Sequence, residues 1–438
     1  MNKGNEELKR EIGFVGLSSN IVNIVIGSGI FVLPAIVAAA LGAASILAYV
    51  FCGILITLLM LCVAEVSSQI TETGGLYIYI EKTFGKYAGF LSVWLMLFAS
   101  IAGVGAIANA VVNVIFSLFP AIESELARIL FFVLMFSWFG YINVIGLKKG
   151  VGFVKLITLA KIAPLLLIIF VGLKDVQLAN LVWDSTPSMR QVGATSLILY
   201  FAFTGAGTAL SVSGEVRNPQ KTIPRAILFS IFLVGVIYVA VQTVSQGVLG
   251  ASLPSFTENP LGAVASRIFG PVGFTLLTIG AAVSMFGSIS SQVLSFPRML
   301  FAASKDNVIP VKLLSKVHNR YVTPHIAIIV YVCLCFVFAS FGGFEELAIM
   351  SSAVALFISL SMSVAVIKLR RSKAFATGAN TFKVPGGYTV PILSFIVIVW
   401  FLSNLSGEKF IGLGILIAVL SVLYFLINSK QVKRLLGR

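Results

Sequence analysis

Hydrophobic residues in this chain fall in long blocks separated by short polar connections. A helix that crosses a bilayer needs about 20 apolar residues. Twelve blocks are long enough: 13–38, 44–66, 88–118, 128–147, 152–173, 193–215, 224–249, 268–297, 324–342, 346–368, 390–406 and 410–428. The third and the eighth are long enough to lie tilted. No stretch reads as a separate soluble domain. The pattern predicts an all-α polytopic membrane protein with 12 transmembrane helices.

Two blocks are interrupted by glycine. Gly27-Ser28-Gly29 breaks the first and Gly205-Ala206-Gly207 breaks the sixth. A glycine costs about 1 kcal/mol of helix propensity relative to alanine. A backbone group freed by unwinding costs several more in hydrocarbon unless something pairs with it. The breaks sit at matching places. Spans one to five occupy 13–173, a polar connection runs from Lys174 to Arg190, and spans six to ten occupy 193–368. Five spans per half set the halves in opposite orientation, a 5+5 inverted repeat with helices 1 and 6 discontinuous. In such proteins the substrate site lies between the broken helices, near the bilayer midplane. Spans eleven and twelve, 390–428, lie outside the repeat and read as scaffold facing lipid or a second copy.

Composition agrees. Of 438 residues 58% are hydrophobic and 11% charged, against roughly 25% charged in soluble chains, and mean hydropathy is +1.03. The net charge of +15 raises nucleic acid as a partner, but its distribution argues for lipid. With a cytoplasmic N-terminus the outer connections carry only Arg128, Lys174, Arg190, Arg267 and Lys409. Most other Lys and Arg fall inside, as at Lys148-Lys149, Arg217/Lys221/Arg225 and Lys368/Arg370/Arg371. This positive-inside pattern places both termini in the cytoplasm. Residues 1–12 read as a short interfacial helix, and 429–438 as a basic tail meeting anionic headgroups. The N-terminal run is not a signal peptide, because it carries the glycine break and leads into eleven more spans. Cys52, Cys62, Cys333 and Cys335 lie inside apolar runs and read as small buried hydrophobes. His318 and His325 lie in a basic loop with no carboxylate cluster, so no metal site is expected.

A broken span turns two half-helix ends toward one cavity. The N-terminal end exposes amides and partial positive charge, the other end exposes carbonyls. An α-amino acid offers a carboxylate to the first and an ammonium to the second. Ile26, Gly27, Ser28, Gly29 and Ile30 form the first candidate segment, with Gly27, Ser28 and Gly29 presenting amides. Phe201, Ala202, Phe203, Thr204, Gly205 and Ala206 form the second, with Phe201 to Thr204 presenting carbonyls. Glycine also admits close approach of a ligand. The competing explanation is helix packing by small residues, which accounts for one such break better than for two in register.

Further segments carry a resemblance: Ile26-Gly27-Ser28-Gly29-Ile30-Phe31 with Pro34, Glu65 with Thr73-Gly74-Gly75-Leu76-Tyr77 and Phe84-Gly85, Asn143 and Gly146, Gly214-Glu215-Val216-Arg217-Asn218-Pro219, Ile223-Pro224-Arg225-Ala226-Ile227, and Ser295-Phe296-Pro297-Arg298 with Asn307 and Pro310. In order over most of the chain, these resemble the amino acid–polyamine–organocation (APC) transporters, specifically bacterial relatives of the L-type amino acid exchangers. The resemblance implies a LeuT-like fold, alternating access, a bacterial inner-membrane location and a site between spans one and six. It implies a gating role for Phe201, above the substrate. One position departs from it: many L-type members carry Trp where this chain has Ala206.

Lys161 stands about 14 Å inside span five at 1.5 Å per residue, too deep to snorkel easily to the interface. Desolvation disfavours the charged form of such an amine, so a proton-carrying role is open. The resemblance implies instead that its ammonium sits where sodium-coupled members of the fold hold a cation, with Ser284 and carbonyls near the first break as partners. No acidic residue lies near the middle of any span, so Arg, Lys and polyamines are disfavoured as substrates. Small residues near the expected pocket (Gly105, Thr204, Ala206) leave room for Ala, Ser, Thr or larger apolar side chains. The function expected is sodium-independent obligatory exchange of neutral L-amino acids. The alternative is proton-coupled symport using Lys161. An intramembrane enzyme is disfavoured, since no His-Glu-x-x-His, Gly-x-Ser-x-Gly or paired intramembrane carboxylate occurs, and no filter-like repeat suggests a channel. No cofactor and no obligatory protein partner are expected.

Overall fold

Apolar blocks in hydrocarbon have one economical solution, the α-helix, which pairs its own backbone groups. The computed structural model describes residues 12–70, 76–146, 151–205, 207, 216–306, 308–309, 311–371 and 382–428, with backbone alone for 151–160 and 428. The described chain is almost entirely helical. The first six helices are α1 (Phe14–Val25), α2 (Gly29–Leu41), α3 (Ile46–Gln69), α4 (Leu76–Phe84), α5 (Lys86–Leu118) and α6 (Glu125–Val144). There follow α7 (Val151–Gly172), α8 (Met189–Leu199), α9 (Pro219–Leu249), α10 (Pro260–Lys305), α11 (His325–Phe341), α12 (Phe344–Arg371), α13 (Thr389–Ser403) and α14 (Gly407–Asn428). Each apolar block coincides with helix to within about five residues, apart from the eighth, whose helix runs eight residues further at each end (Pro260–Lys305), and the end of the sixth, which falls outside the described residues. Among the described residues, seven helical segments can cross a membrane by length and composition, and three shorter ones are apolar. Short α4 lies between blocks and was not among the expected spans.

Local chemistry sets the boundaries. Ser124 Oγ accepts the Ala127 amide at the start of α6, and Ser188 and Gln191 form a reciprocal capping box on α8. Pro219 and Pro260 open α9 and α10, where a missing N–H costs nothing. In α10, Gly270 at φ 72° puts a kink in a 46-residue run.

Helix α5 is the centre of the bundle and packs on α10, α11 and α12, while α9 packs on α1 and α3. Gly105 of α5 belongs to this packing and not to a pocket: a Cβ there would lie 3.0 Å from Leu347 Cδ1 and 3.2 Å from the Ala339 amide nitrogen. At the other extreme, α14 has most of its surface exposed, as a lipid-facing helix would. The expected interfacial helix over 1–12 lies outside the described residues except for Ile12. That residue is not helical: it forms an isolated parallel bridge with Val216, and the Arg217 amide donates to its carbonyl at 2.8 Å. The main chain just before α1 is thereby tied to the main chain just before α9.

Glu65 is fully buried in α3. Arg370 of α12 meets it with two parallel bonds, Nε to Oε1 at 2.7 Å and Nη2 to Oε2 at 2.6 Å, and the Val384 amide donates to Oε2 at 2.7 Å. Removing one partner of such a pair strands the other charge, at about 3–5 kcal/mol. Glu65→Ala is therefore expected to lower the melting temperature in detergent markedly, with Glu65→Gln in between, as read by thermal unfolding of the purified protein.

Candidate functional site

The first block is helical to Val25 and again from Gly29, with Ile26, Gly27 and Ser28 between. In the sixth, α8 ends at Leu199, a 3-10 turn covers Tyr200–Phe203, and Gly205 takes φ 95°. The two interruptions pack side by side and together line a cavity of about 760 Å³, walled also by α5, α10 and α12. Ala206 lies outside the described residues, as do residues 208–215.

At the α1 end three of the last four carbonyls have partners. The Val22 carbonyl accepts the Ile26 amide at 2.9 Å. Lys161 Nζ, 2% exposed, donates to the Asn23 carbonyl at 3.1 Å and to Ser288 Oγ at 3.2 Å. The Tyr238 hydroxyl of α9 is 3.1 Å from the Val25 carbonyl and 3.0 Å from the Ala202 carbonyl, so one proton is shared between the two interruptions. A cation at a helix C-terminus is favoured by the partial negative charge there, and Lys161 supplies it.

The α2 end is different. The amides of Gly27, Ser28, Gly29 and Ile30 donate to no protein acceptor among the described residues, and Phe31 is the first to bond, to the Ser28 carbonyl at 3.0 Å. Ser28 Oγ is buried and also without a protein partner. Gly27, Ser28 and Gly29 line the cavity, whereas Ile26 and Ile30 are buried in the core and do not line it.

Several expectations change in detail. The hydroxyl on Lys161 is that of Ser288, one turn from Ser284. Ser284 Oγ is buried without a protein partner, and its carbonyl accepts Ser288 Oγ at 3.1 Å. Of the four carbonyls expected to face an ammonium, Phe201 accepts Thr204 N at 3.2 Å and Thr204 Oγ1 at 2.7 Å, and Ala202 accepts Tyr238. Phe203 and Thr204 keep carbonyls that no described donor reaches. Gly29 is a packing glycine as well as a lining one, since a Cβ would sit 2.7 Å from both Cα and Cβ of Ala202. A Cβ at Gly27 would meet Ser288 Oγ at 3.5 Å and the Val25 carbonyl oxygen at 3.9 Å, both ordinary contacts. Gly103, not Gly105, is the glycine of α5 that lines the cavity.

Phe201, 6% exposed, lines the cavity at one end. Its ring meets Phe344 edge-on at 5.8 Å, and a Cβ at Gly103 would lie 3.7 Å from it. Beyond it, Arg128 donates to Asn109 and Asn113 at 3.0 Å each. Near Arg128, in a connection outside the spans, burial and then Glu123 push the Glu258 carboxyl above its ordinary range, with Arg128 opposing. The other end is open. Ser291, Leu294, Ser295 and Arg298 form one exposed face of α10 along the cavity wall, leading to Lys305. The cavity therefore opens toward the end of the bundle that carries Arg217, Lys221, Lys305 and Arg371.

Tyr238, Ser288, Asn23 and Phe344 were not singled out in the sequence. Their signal there is weak, a polar or aromatic residue inside an apolar block, and nothing one-dimensional shows that they converge.

A family model for amino acid permeases matches residues 12–427. The chain belongs to the amino acid permease family. It is 31% identical over 406 residues to the serine/threonine exchanger SteT of Bacillus subtilis, covering 91% of this chain and 90% of that protein. It is 25% identical over 449 residues to the branched-chain amino acid permease BcaP of Bacillus subtilis (98% and 95%) and 27% identical over 441 residues to its methylthioribose transporter (97% and 95%). These relatives are transporters, and the permease is an APC-superfamily membrane transporter, not an enzyme.

Substitutions at the two breaks of the permease separate packing from recognition. Gly29→Ala should lose stability by about 1–3 kcal/mol from overpacking against Ala202 together with transport. Gly27→Ala should keep the melting temperature but weaken substrate affinity several-fold, as a binding titration would read. Tyr238→Phe, which frees the Val25 and Ala202 carbonyls, should cost about 1–3 kcal/mol of stability, measured by thermal unfolding.

Proposed function

We propose that this permease carries neutral L-amino acids by alternating access, through sodium-independent obligatory exchange. One observation carries the reading: the amides of Gly27, Ser28 and Gly29, without protein acceptors among the described residues, line the same cavity as Phe203 and Thr204, whose carbonyls no described donor reaches. The amides suit a carboxylate and the carbonyls an ammonium, so the backbone recognises the part common to all amino acids.

Neutrality of the side chain rests on the lining. Among the described lining residues none is Asp or Glu, so a cationic side chain finds no counter-ion. Two cations line the cavity. Lys161 is engaged with Asn23 and Ser288. Arg298 donates to the Leu294 carbonyl of its own helix and stands ten residues, about 15 Å along α10, from Ser288, beyond reach of a carboxylate side chain held at the breaks.

Sodium independence rests on Lys161. Its fixed ammonium already occupies the Asn23 carbonyl and the Ser288 hydroxyl, groups that would otherwise suit a small cation. Exchange is taken from the likeness to SteT, itself an exchanger. The wider reading has twelve spans in a 5+5 inverted repeat and both termini cytoplasmic in a bacterial inner membrane. The open end, with its basic connections, then faces the cytoplasm, and Phe201 with Phe344 forms the closed outer gate.

Proteoliposomes separate exchange from proton symport. Exchange predicts uptake of labelled serine, alanine or leucine only when unlabelled amino acid is inside, with no accumulation driven by external acid in empty vesicles. Net uptake into empty vesicles under a pH gradient would reject exchange as the sole mode. Lys161→Ala should lower transport at least tenfold while the protein still elutes as a monodisperse species. Undiminished transport by that variant would remove Lys161 from the mechanism.

A further inference from the structure

Four serines of the cavity wall spend their hydroxyl hydrogens inside the protein. Ser291 Oγ donates to Gly287, Ser295 to Ser291, Ser351 to Ala99 and Ser359 to Ala355, all at 2.7–2.9 Å. Toward the cavity they show acceptor lone pairs. Ser28 Oγ, at the amide row, has no protein acceptor among the described residues, and Gln292 of α10 offers an amide. Ser100 Oγ of α5 donates to its Oε1 at 3.1 Å, and Ser100 Oγ lies 2.5 Å from the hydroxyl of Tyr331 on α11. Tyr331 is fully buried, its ring stacked on Phe296 at 6.0 Å and 2°. A phenol is the stronger donor of the two hydroxyls, so the bonds run from Tyr331 to Ser100 to Gln292 Oε1. This direction fixes the amide. The Gln292 Nε2 hydrogens point away from Ser100, and no described protein acceptor takes them.

Gln292 is one turn of α10, about 6 Å, from Ser288, the residue against Gly27. Ser100 is one turn of α5 from Gly103, which faces the Phe201 ring. The pair thus stands about one helical turn from both the amide row and the closing aromatic, within reach of a short side chain.

We propose that Gln292 is the residue that reads the substrate's side chain, donating from Nε2 to an uncharged oxygen, and that the permease prefers neutral amino acids bearing a hydroxyl or amide over apolar ones of equal size. The proposal rests on the carrier reading above. Ser100 and Tyr331 act as positioning residues, since they hold the amide and do not touch the ligand.

Threonine and valine differ by one hydroxyl at nearly constant volume, and their affinities for the purified full-length protein test the idea by calorimetric titration. The wild type should bind threonine about tenfold more tightly than valine, as expected for one hydrogen bond whose loss leaves a donor unpaired. In Gln292→Met the ratio should fall to about one, through loss of threonine affinity. In Ser100→Ala, where the amide can rotate, it should fall part of the way. A wild type that binds both without preference, or a Gln292→Met variant that keeps the preference, overturns the assignment. If Gln292→Met binds neither amino acid, Ser100→Ala decides by the same ratio: a reduced preference supports the assignment and an unchanged one ends it. Failure of every neutral amino acid to bind the wild type would instead overturn the carrier reading, and this proposal with it.

Discussion

A peptide group inside hydrocarbon must pair with something, and an interrupted helix exposes several that do not pair within the segment. How this chain answers that demand organises its centre. At the end of α1 the answer is internal: the Ile26 amide, the Lys161 ammonium and the Tyr238 hydroxyl take the carbonyls of Val22, Asn23 and Val25. At the start of α2 no described side chain takes that role, and Gly27, Ser28 and Gly29 line the cavity with amides that no described acceptor meets. One end of the break is largely satisfied by the protein, and the other leaves donors open.

The same contacts bind the two broken segments to each other. Tyr238 joins the Val25 and Ala202 carbonyls at mid-depth. Gly29 and Ala202 meet at a distance that only glycine allows. Ile12 and Arg217 join the chain ahead of α1 to the chain ahead of α9. For the segments to move apart, a shared proton, a tight van der Waals contact and a main-chain bond would all have to give way. Against this unit stands α5, buried along much of its length and locked to α11 by Asn109, whose amide donates to the Ala339 and Gly342 carbonyls. The cavity lies between a tied pair of broken segments and a rigid wall.

Charge is used sparingly in this interior. Glu65 and Arg370 neutralise each other with parallel bonds and a third from the Val384 amide, which is what makes a buried ion pair tolerable. Lys161 is stabilised by a carbonyl, a hydroxyl and a helix C-terminus. Apart from Lys161 and Arg298, the described cavity lining offers backbone dipoles and neutral side chains, whose desolvation costs far less than that of a free charge.

Much was legible in the sequence, for identifiable reasons. Block length announces helices because hydrocarbon tolerates little else, and Gly27, Gly29 and Gly205 announce breaks because helix interiors disfavour glycine. Lys161 announces itself because a charge at that depth is expensive. What the sequence left open is which group meets which. Ser284 and Ser288 are both serines on one helix face, and only the rotation and depth of α10 against α7 choose Ser288. Gly103 and Gly105 are equally small, and the packing of α11 and α12 makes one a wall and the other a contact. Composition determined that the chain lives in a membrane with two interrupted helices. The tertiary structure decided which backbone ends are satisfied, because hydrogen bonds depend on ångström distances between segments far apart in the chain, and no one-dimensional pattern encodes those.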